Sequence, residues 1–290
     1  MTTSELHDQF VVITGGNAGI GKETAVNLAR LGAHVIITAR NPSRGAAALE
    51  EIQTRSGSAD VEVMALDLAS FASIRAFTKQ LLDQQDRLDV LVNNAGLVLN
   101  KRQETVDGFE MQFGVNHLGH FLLTNLLLDR LKANTAGARV VIVSSHAHKW
   151  ARHGLDFDNL QSTGRGWPYG IYSKTKLANI LFMRELARRL GDTQVTANAL
   201  HPGFVASRFS RDGDAGVLGT TAMVIGRPFA ISPAKGALTS TYLASSPDVA
   251  GITGECFYKC RPTAISKYGL DADAARRLWD VSEQLVAEAG

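Results

Sequence analysis

The chain has 290 residues, 45% of them hydrophobic, which is enough to bury a sizeable core and excludes a disordered chain. Thirty basic and 28 acidic residues leave a formal charge of +2 spread along the sequence, so there is no basic block for a phosphate backbone and nucleic acid is excluded as a partner class. The two cysteines, Cys256 and Cys260, stand as CxxxC without a second pair, which reads as two reduced thiols in or near a strand.

The opening MTTSELHDQF has no apolar h-region, and no later run is long enough to span a bilayer, so the expectation is a cytoplasmic protein without a membrane anchor. After it, short β-branched runs alternate with longer segments of helical period, the pattern of βα units on a parallel sheet. Strands are predicted at 10–14, 34–39, 61–66, 88–93, 139–145, 194–200 and 252–258. Helices are predicted at 19–31, 43–55, 70–85, 103–132, 170–190, 233–245 and 272–288. The strands are apolar almost throughout, as strands covered on both faces are. The expected architecture is an α/β, Rossmann-type, doubly wound parallel sheet of seven strands, in a single domain over residues 1–290. Segments 146–169 and 203–231 break the rhythm after the carboxyl ends of the fifth and sixth strands, where open α/β sheets bind ligands.

The first strand runs into TGGNAGIGKE, which places Gly15, Gly19 and Gly21 as GxxxGxG between a strand and a helix. Such a turn lets the backbone approach a pyrophosphate and sets the phosphate charge at the positive end of the helix. The second strand ends in ITARN, where an acidic residue would accept the ribose hydroxyls of NAD. Arg40 stands there instead, and a guanidinium pairs with a 2′-phosphate or faces water. Asp67, just after the third strand, can accept from an adenine amino group. NNAG, Asn93 to Gly96, follows the fourth strand, and its amides suit either a cofactor or local bracing of the sheet. In GIYSKTKLANILF, Tyr172 and Lys176 are four residues apart, which brings both to one helix face.

These motifs, with Asn116 in FGVNHLGHF, Ser145 in VIVSS and the HPG of His201 to Gly203, occur in an order that resembles the short-chain dehydrogenase/reductase family. The segments SSHAHKW, YSKTKLANILFMRELARRL, HPGFVAS and ARRLWDVSEQLV are similar to its retinol dehydrogenase and WW-domain-containing oxidoreductase branch. The resemblance implies a catalytic set of Asn116, Ser145, Tyr172 and Lys176. It implies cofactor contacts from Gly15, Asn17, Gly19, Ile20, Gly21, Arg40, Asp67, Leu68, Asn94, Ala95, Gly96, Tyr172, Lys176, Pro202, Gly203, Val205 and Ser207. NADP(H) is expected over NAD(H), on the strength of Arg40. By resemblance, Tyr172 exchanges a proton with the substrate oxygen, Ser145 hydrogen-bonds that oxygen and Asn116 supports a water-linked relay to Lys176. A phenol ordinarily titrates near about 10, and the Lys176 cation is expected to favour its phenolate. Ser144 is the rival of Ser145, since strand side chains alternate faces.

His146, His148 and His153 contain an HxH spacing, but no carboxylate or cysteine completes a ligand set, so no metal is expected. Trp150, Phe157, Trp167, Phe204, Phe209 and Phe229 fall in the two irregular segments and either pack a lid or line an apolar pocket; Arg208 and Arg211 offer an acidic group as the alternative ligand. The expected partner is a small apolar aldehyde, ketone or secondary alcohol. A homodimer, a homotetramer and a monomer are all compatible with the sequence. The competing class is a nucleotide-binding sensor or scaffold without turnover, which has no need of Asn116, Ser145, Tyr172 and Lys176 together.

Overall fold

The computed structural model describes residues 6–163, 167–205 and 230–289. The chain opens with β1 (Phe10–Ile13), α1 (Gly19–Arg30), β2 (His34–Ala39), α2 (Pro42–Ser56), β3 (Val61–Ala65), α3 (Phe71–Gln84) and β4 (Val90–Asn93). A helical turn at Met111–Phe113 and a π-helical turn at Gly114–Leu118 then lead into α4 (Gly119–Ala133). After these come β5 (Ala138–Val143), α5 (Pro168–Arg189), β6 (Val195–Leu200), α6 (Pro233–Ser245), β7 (Cys256–Tyr258), β8 (Arg261–Pro262) and α7 (Ala272–Glu288).

The strands join in the order β3-β2-β1-β4-β5-β6-β7-β8. Every neighbouring pair is parallel except β7 with β8, where Phe257 pairs with Pro262 and Tyr258 with Arg261. The sheet is thus the doubly wound parallel one the sequence implies, extended from seven strands to eight. Lys259 and Cys260 make the extra hairpin by taking φ of 50° and 60°, the paired left-handed conformation of a tight two-residue turn. With only two residues beyond the turn, β8 is too short to give an alternation signal. Both cysteines are free thiols.

Strand alternation sorts the core onto two faces. Val12, Leu91, Val140, Ile142, Ala197 and Ala199 belong to the layer that packs α3, α4, α5 and α7. Val11, Ile13, Val90, Val92, Val141, Val143 and Leu200 belong to the layer under α1, α2 and α6. Covering on both faces explains why these strands read as continuous apolar runs.

The helix expected over 103–132 is corrected: it begins only at Met111, and Glu104 and Glu110 form an isolated antiparallel bridge before it. Asp107 and Gly108 turn the chain there, with Gly108 at φ 83°, and the Phe71 amide donates to the Asp107 carboxylate at 2.9 Å. Glu110 starts the helix by accepting from the Phe113 amide at 2.7 Å. The remaining helices lie within two residues of their expected bounds, and several carry the caps that start them: Asn41 with Pro42 for α2, Ser70 for α3, Ser232 with Pro233 for α6 and Asp271 for α7.

Between β1 and β4 the winding reverses, so the carboxyl ends of these strands splay their connections apart. The glycine-rich turn, NNAG, the end of β5 and the first turns of α5 all gather along that edge.

Candidate active site

The glycine-rich turn is built from backbone conformations and close approaches that a side chain would obstruct. Gly15 sits at φ 64°, and a Cβ on Gly21 would fall 2.4 Å from Asn94 Nδ2 and 2.6 Å from the Gly15 carbonyl. Gly16 is as constrained, since a Cβ there would meet Ile37 of β2 at 2.6 Å; the GG doublet in the sequence was the available signal. Ala18, just before α1, offers no side-chain cap, and the first turn of α1 holds no acidic residue. Its amide dipoles are therefore left for an anion, in contrast to the capped ends of α2, α3, α6 and α7.

Thr14, at the end of β1, is the node that joins this turn to NNAG. Its hydroxyl oxygen accepts from the Asn94 and Ala95 amides, both at 2.9 Å, and lies 2.9 Å from His120 Nε2. The other ring nitrogen of His120 reaches the Asn116 carbonyl at 3.3 Å. A carbonyl can only accept, so Nδ1 carries the proton, and bare Nε2 accepts a hydrogen bond from the threonine hydroxyl, whose other acceptor is the Val92 carbonyl at 3.3 Å. Burial pushes His120 down to about 3, which keeps this neutral arrangement at physiological pH. Neither Thr14 nor His120 stood out in the sequence as an organiser; the only trace was the four-residue spacing of His120 from Asn116.

The structure places each expected residue as follows. Asn94 donates to the Thr14 carbonyl at 2.8 Å, so its amide braces the glycine turn. Asn17, Gly19, Ile20 and Gly96 lie partly exposed along the same edge, and Arg40 is exposed beyond the end of β2. Asp67 Oδ1 accepts from the Ala69 amide at 3.0 Å, and Leu68 is buried in the core. Pro202 and Gly203 follow β6, Gly203 at φ 86°, and Val205 bridges Ile231. Ser207, Phe209, Phe229, Arg208 and Arg211 lie outside the described residues.

Asn116 is fully buried on the π-helical turn. Its Oδ1 accepts from the Leu97 amide at 2.8 Å, while Nδ2 donates to the Leu97 carbonyl at 2.9 Å and Thr175 Oγ1 at 3.1 Å. The amide thus anchors the loop after NNAG to α5 through Leu97 and Thr175.

At the end of β5 the two serines separate by face. Ser144 is buried and donates to the Lys176 carbonyl at 2.8 Å. Ser145 is partly exposed and its side chain hydrogen-bonds the Tyr172 phenol. Lys176, 2% exposed, directs Nζ to the Val143 carbonyl at 3.1 Å and stands 5.6 Å from the centre of the Tyr172 ring. α5 therefore delivers Tyr172 and Lys176 to the end of β5, where Ser145 meets the phenol.

The electrostatics correct one expectation. Burial pushes the Tyr172 phenol up to about 12, and the Ser145 hydrogen bond, not the Lys176 cation, is what opposes that rise. Lys176 is itself pushed down to about 8 by burial. Desolvation disfavours both charged forms and is the largest cause of each shift.

The histidines after β5 have separate tasks. His148 is buried and hydrogen-bonded through both ring nitrogens, His146 lies edge-on to His201 with centroids 5.6 Å apart, and His153 is exposed. Phe157 packs under the Arg277 guanidinium at 4.4 Å, so it belongs to the scaffold, whereas Trp150, Trp167 and Phe204 remain 53%, 64% and 48% exposed. Among the described residues no helix is long and apolar enough to cross a membrane.

Residues 9–156 match the family model described as short chain dehydrogenase. The chain is 44% identical to retinol dehydrogenase 14 of Homo sapiens, covering 97% of this chain and 87% of that one, and 43% identical to retinol dehydrogenase 13 of Homo sapiens, covering 95% and 84%. Among solved structures, an uncharacterised protein from Mycobacterium paratuberculosis superposes with a TM-score of 0.78 at 36% identity, covering 98% of this chain and 96% of that one. The RhlG/NADP active-site complex of Pseudomonas aeruginosa superposes with a TM-score of 0.70 at 27% identity, covering 89% and 97%.

Proposed function

This chain belongs to the short-chain dehydrogenase family of oxidoreductases, and we propose that within it the protein is an NADP(H)-dependent enzyme that interconverts an apolar aldehyde or ketone with its alcohol. The observation that carries this reading is the meeting of Ser145 and Tyr172 beside buried Lys176, at the sheet edge that also holds the glycine-rich turn.

The residues present fit a nicotinamide dinucleotide. The uncapped start of α1 and the side-chain-free turn at Gly15 and Gly21 suit a pyrophosphate. Exposed Arg40 suits a 2′-phosphate, and the resemblance to an NADP-bound structure supports the same choice. When bound, the nicotinamide supplies or accepts the hydride at the substrate carbon.

The chain's own residues handle the oxygen. A phenol held at about 12 is protonated at neutral pH, which is the form that gives its proton to a carbonyl oxygen during reduction. Ser145 lies on the same phenol, so its hydroxyl is placed to hydrogen-bond that oxygen as negative charge develops on it. Lys176 at about 8 remains mostly cationic at neutral pH, which suits its expected role as a cofactor contact rather than as a partner of the phenolate. In the oxidative direction the same groups take the alcohol proton. Trp150, Trp167 and Phe204, exposed on segments that follow β5 and β6, support an apolar substrate, as does the likeness to chains named retinol dehydrogenases.

The test is a panel of aldehydes, ketones and alcohols, including all-trans-retinal, octanal and a charged keto acid, followed by the absorbance of the reduced nicotinamide. Faster turnover of the apolar members with NADPH than with NADH is expected. Turnover confined to the charged member, or faster turnover with NADH, would overturn the substrate or the cofactor part of the reading respectively.

A further inference from the structure

Ser145 is held from behind by a residue outside the catalytic set. The Ser145 carbonyl accepts from the His148 backbone amide at 3.0 Å and lies 2.7 Å from His148 Nδ1. Its hydroxyl oxygen accepts from the Ala147 amide at 3.2 Å, so Ser145 caps the 3-10 turn His146–Trp150. On the opposite edge of the imidazole, the Ser266 amide donates to His148 Nε2 at 3.3 Å. The tautomer follows from the partners: Nδ1 faces a carbonyl and must carry the proton, while Nε2 faces an N–H and must be bare. His148 is 0% exposed, so water cannot replace either partner.

Ser266 in turn caps the 3-10 turn Lys267–Leu270 with its hydroxyl. That turn packs against α5, where Gly269 comes so close that a Cβ would stand 3.1 Å from Ile180, and against Gly154, which lies under Tyr268. It runs directly into α7, whose Ser282 hydrogen-bonds buried His117 at 2.9 Å beneath α4. The ring of His148 therefore joins two capped turns more than a hundred residues apart, and one of the caps is Ser145.

We infer that His148 is a positioning residue: it fixes the Ser145 backbone so that the hydroxyl meets Tyr172, and it makes that fit depend on the Ser266–Leu270 segment. The inference rests on the reading of Ser145 as a group that acts on the substrate oxygen. A buried ring bonded on both edges has one orientation, and an error near 1 Å at a reacting group costs about 100-fold in rate.

The test uses the full chain, NADPH and the fastest carbonyl of the panel above. An asparagine amide N–H stands in for Nδ1–H, and a glutamine amide oxygen stands in for Nε2, so the two substitutions separate the two bonds. His148→Asn is expected to keep kcat within about 3-fold, while His148→Gln and His148→Ala lower it about 10-fold or more with KM for NADPH unchanged. In a Ser145→Ala background, His148→Ala should cost no more than about 2-fold further, because residues acting through one another are not additive. Ser266→Pro deletes the amide donor at a φ of −67°, which proline adopts, and should lower kcat by about 2- to 3-fold, as His148→Asn does through losing the same bond, where Ser266→Ala does not.

Equal kcat losses in His148→Asn and His148→Gln, or a full His148→Ala loss in the Ser145→Ala background, would overturn the inference while leaving Ser145 in its role. Undiminished turnover in Ser145→Ala would instead overturn the reading of Ser145 itself. Equal turnover in Ser266→Pro and Ser266→Ala would remove the Ser266–Leu270 segment from the device.

Discussion

Replacing Lys176 by methionine is expected to make the cofactor-free protein more stable and much less active. Lys176 is almost fully buried, and burial holds it at about 8 against an ordinary 10.5. That gap corresponds to about 3 kcal/mol by which the folded state disfavours the cation at neutral pH. Methionine has similar length and no charge, and the Val143 carbonyl keeps the Asn179 amide at 3.4 Å when Nζ is removed. Losing the lysine hydrogen bond costs about 1 kcal/mol, which leaves a net gain of about 2 kcal/mol. For a chain of 290 residues this is a rise of about 3 °C in Tm.

The pH dependence gives the sharper criterion. Between about 8 and 10.5 the unfolded chain holds a proton at Lys176 that the folded chain has lost, so parental stability rises with pH there. The advantage of Lys176→Met is therefore full below about pH 8 and gone by about pH 10.5. Tyr172 and Cys256, both pushed up by burial to about 12, titrate in parent and variant alike and largely cancel in the difference. Urea unfolding of both proteins at pH 7 and at pH 9.5 measures it. A variant less stable than the parent at pH 7, or a difference that does not shrink with rising pH, would refute the view that Lys176 is a strained cation.

Tyr172→Phe should lower turnover by about 100-fold to 10,000-fold while NADPH still quenches tryptophan fluorescence with similar affinity, since only the proton donor is lost. Gly21→Ala forces a Cβ to within 2.6 Å of the Gly15 carbonyl and should cost about 1–3 kcal/mol, seen as a lower Tm and weaker NADPH binding. Arg40→Ala should raise KM for NADPH about 10-fold and leave KM for NADH nearly unchanged, a ratio read directly from initial rates. His117 and His120 are both held neutral by burial, at about 3 against an ordinary 6.5. Each therefore takes up a proton only on unfolding, and stability should fall as pH drops below 6.5, by about 3 kcal/mol per pH unit near pH 5 for the pair; urea midpoints at pH 7, 6 and 5 check it.

The doubly wound sheet was legible because its evidence is local: β-branched runs, helical periods and glycine positions act within a few residues of chain. The same is true of the pairing of Tyr172 with Lys176, which a single helix face guarantees. Locality also explains the misses. A helix starting at 103 looked continuous until the Asp107–Gly108 turn and the Glu110 cap were seen to hold the chain off, and β8 had too few residues to show a period.

What required the folded molecule was every property set by burial or by contacts across the chain. Sequence offered Ser144 and Ser145 equally by geometry, and it is the packing of α5 on β5 that sends one to the Lys176 backbone and the other to the phenol. Sequence also led to a lysine that favours the phenolate, whereas desolvation, a quantity no spacing encodes, raises the phenol and depresses the lysine. The ring of His148 bridging Ser145 to Ser266 belongs to the same class: Ser266 lies 118 residues along the chain from His148, and only the closing of the C-terminal segment over α5 brings it to the imidazole.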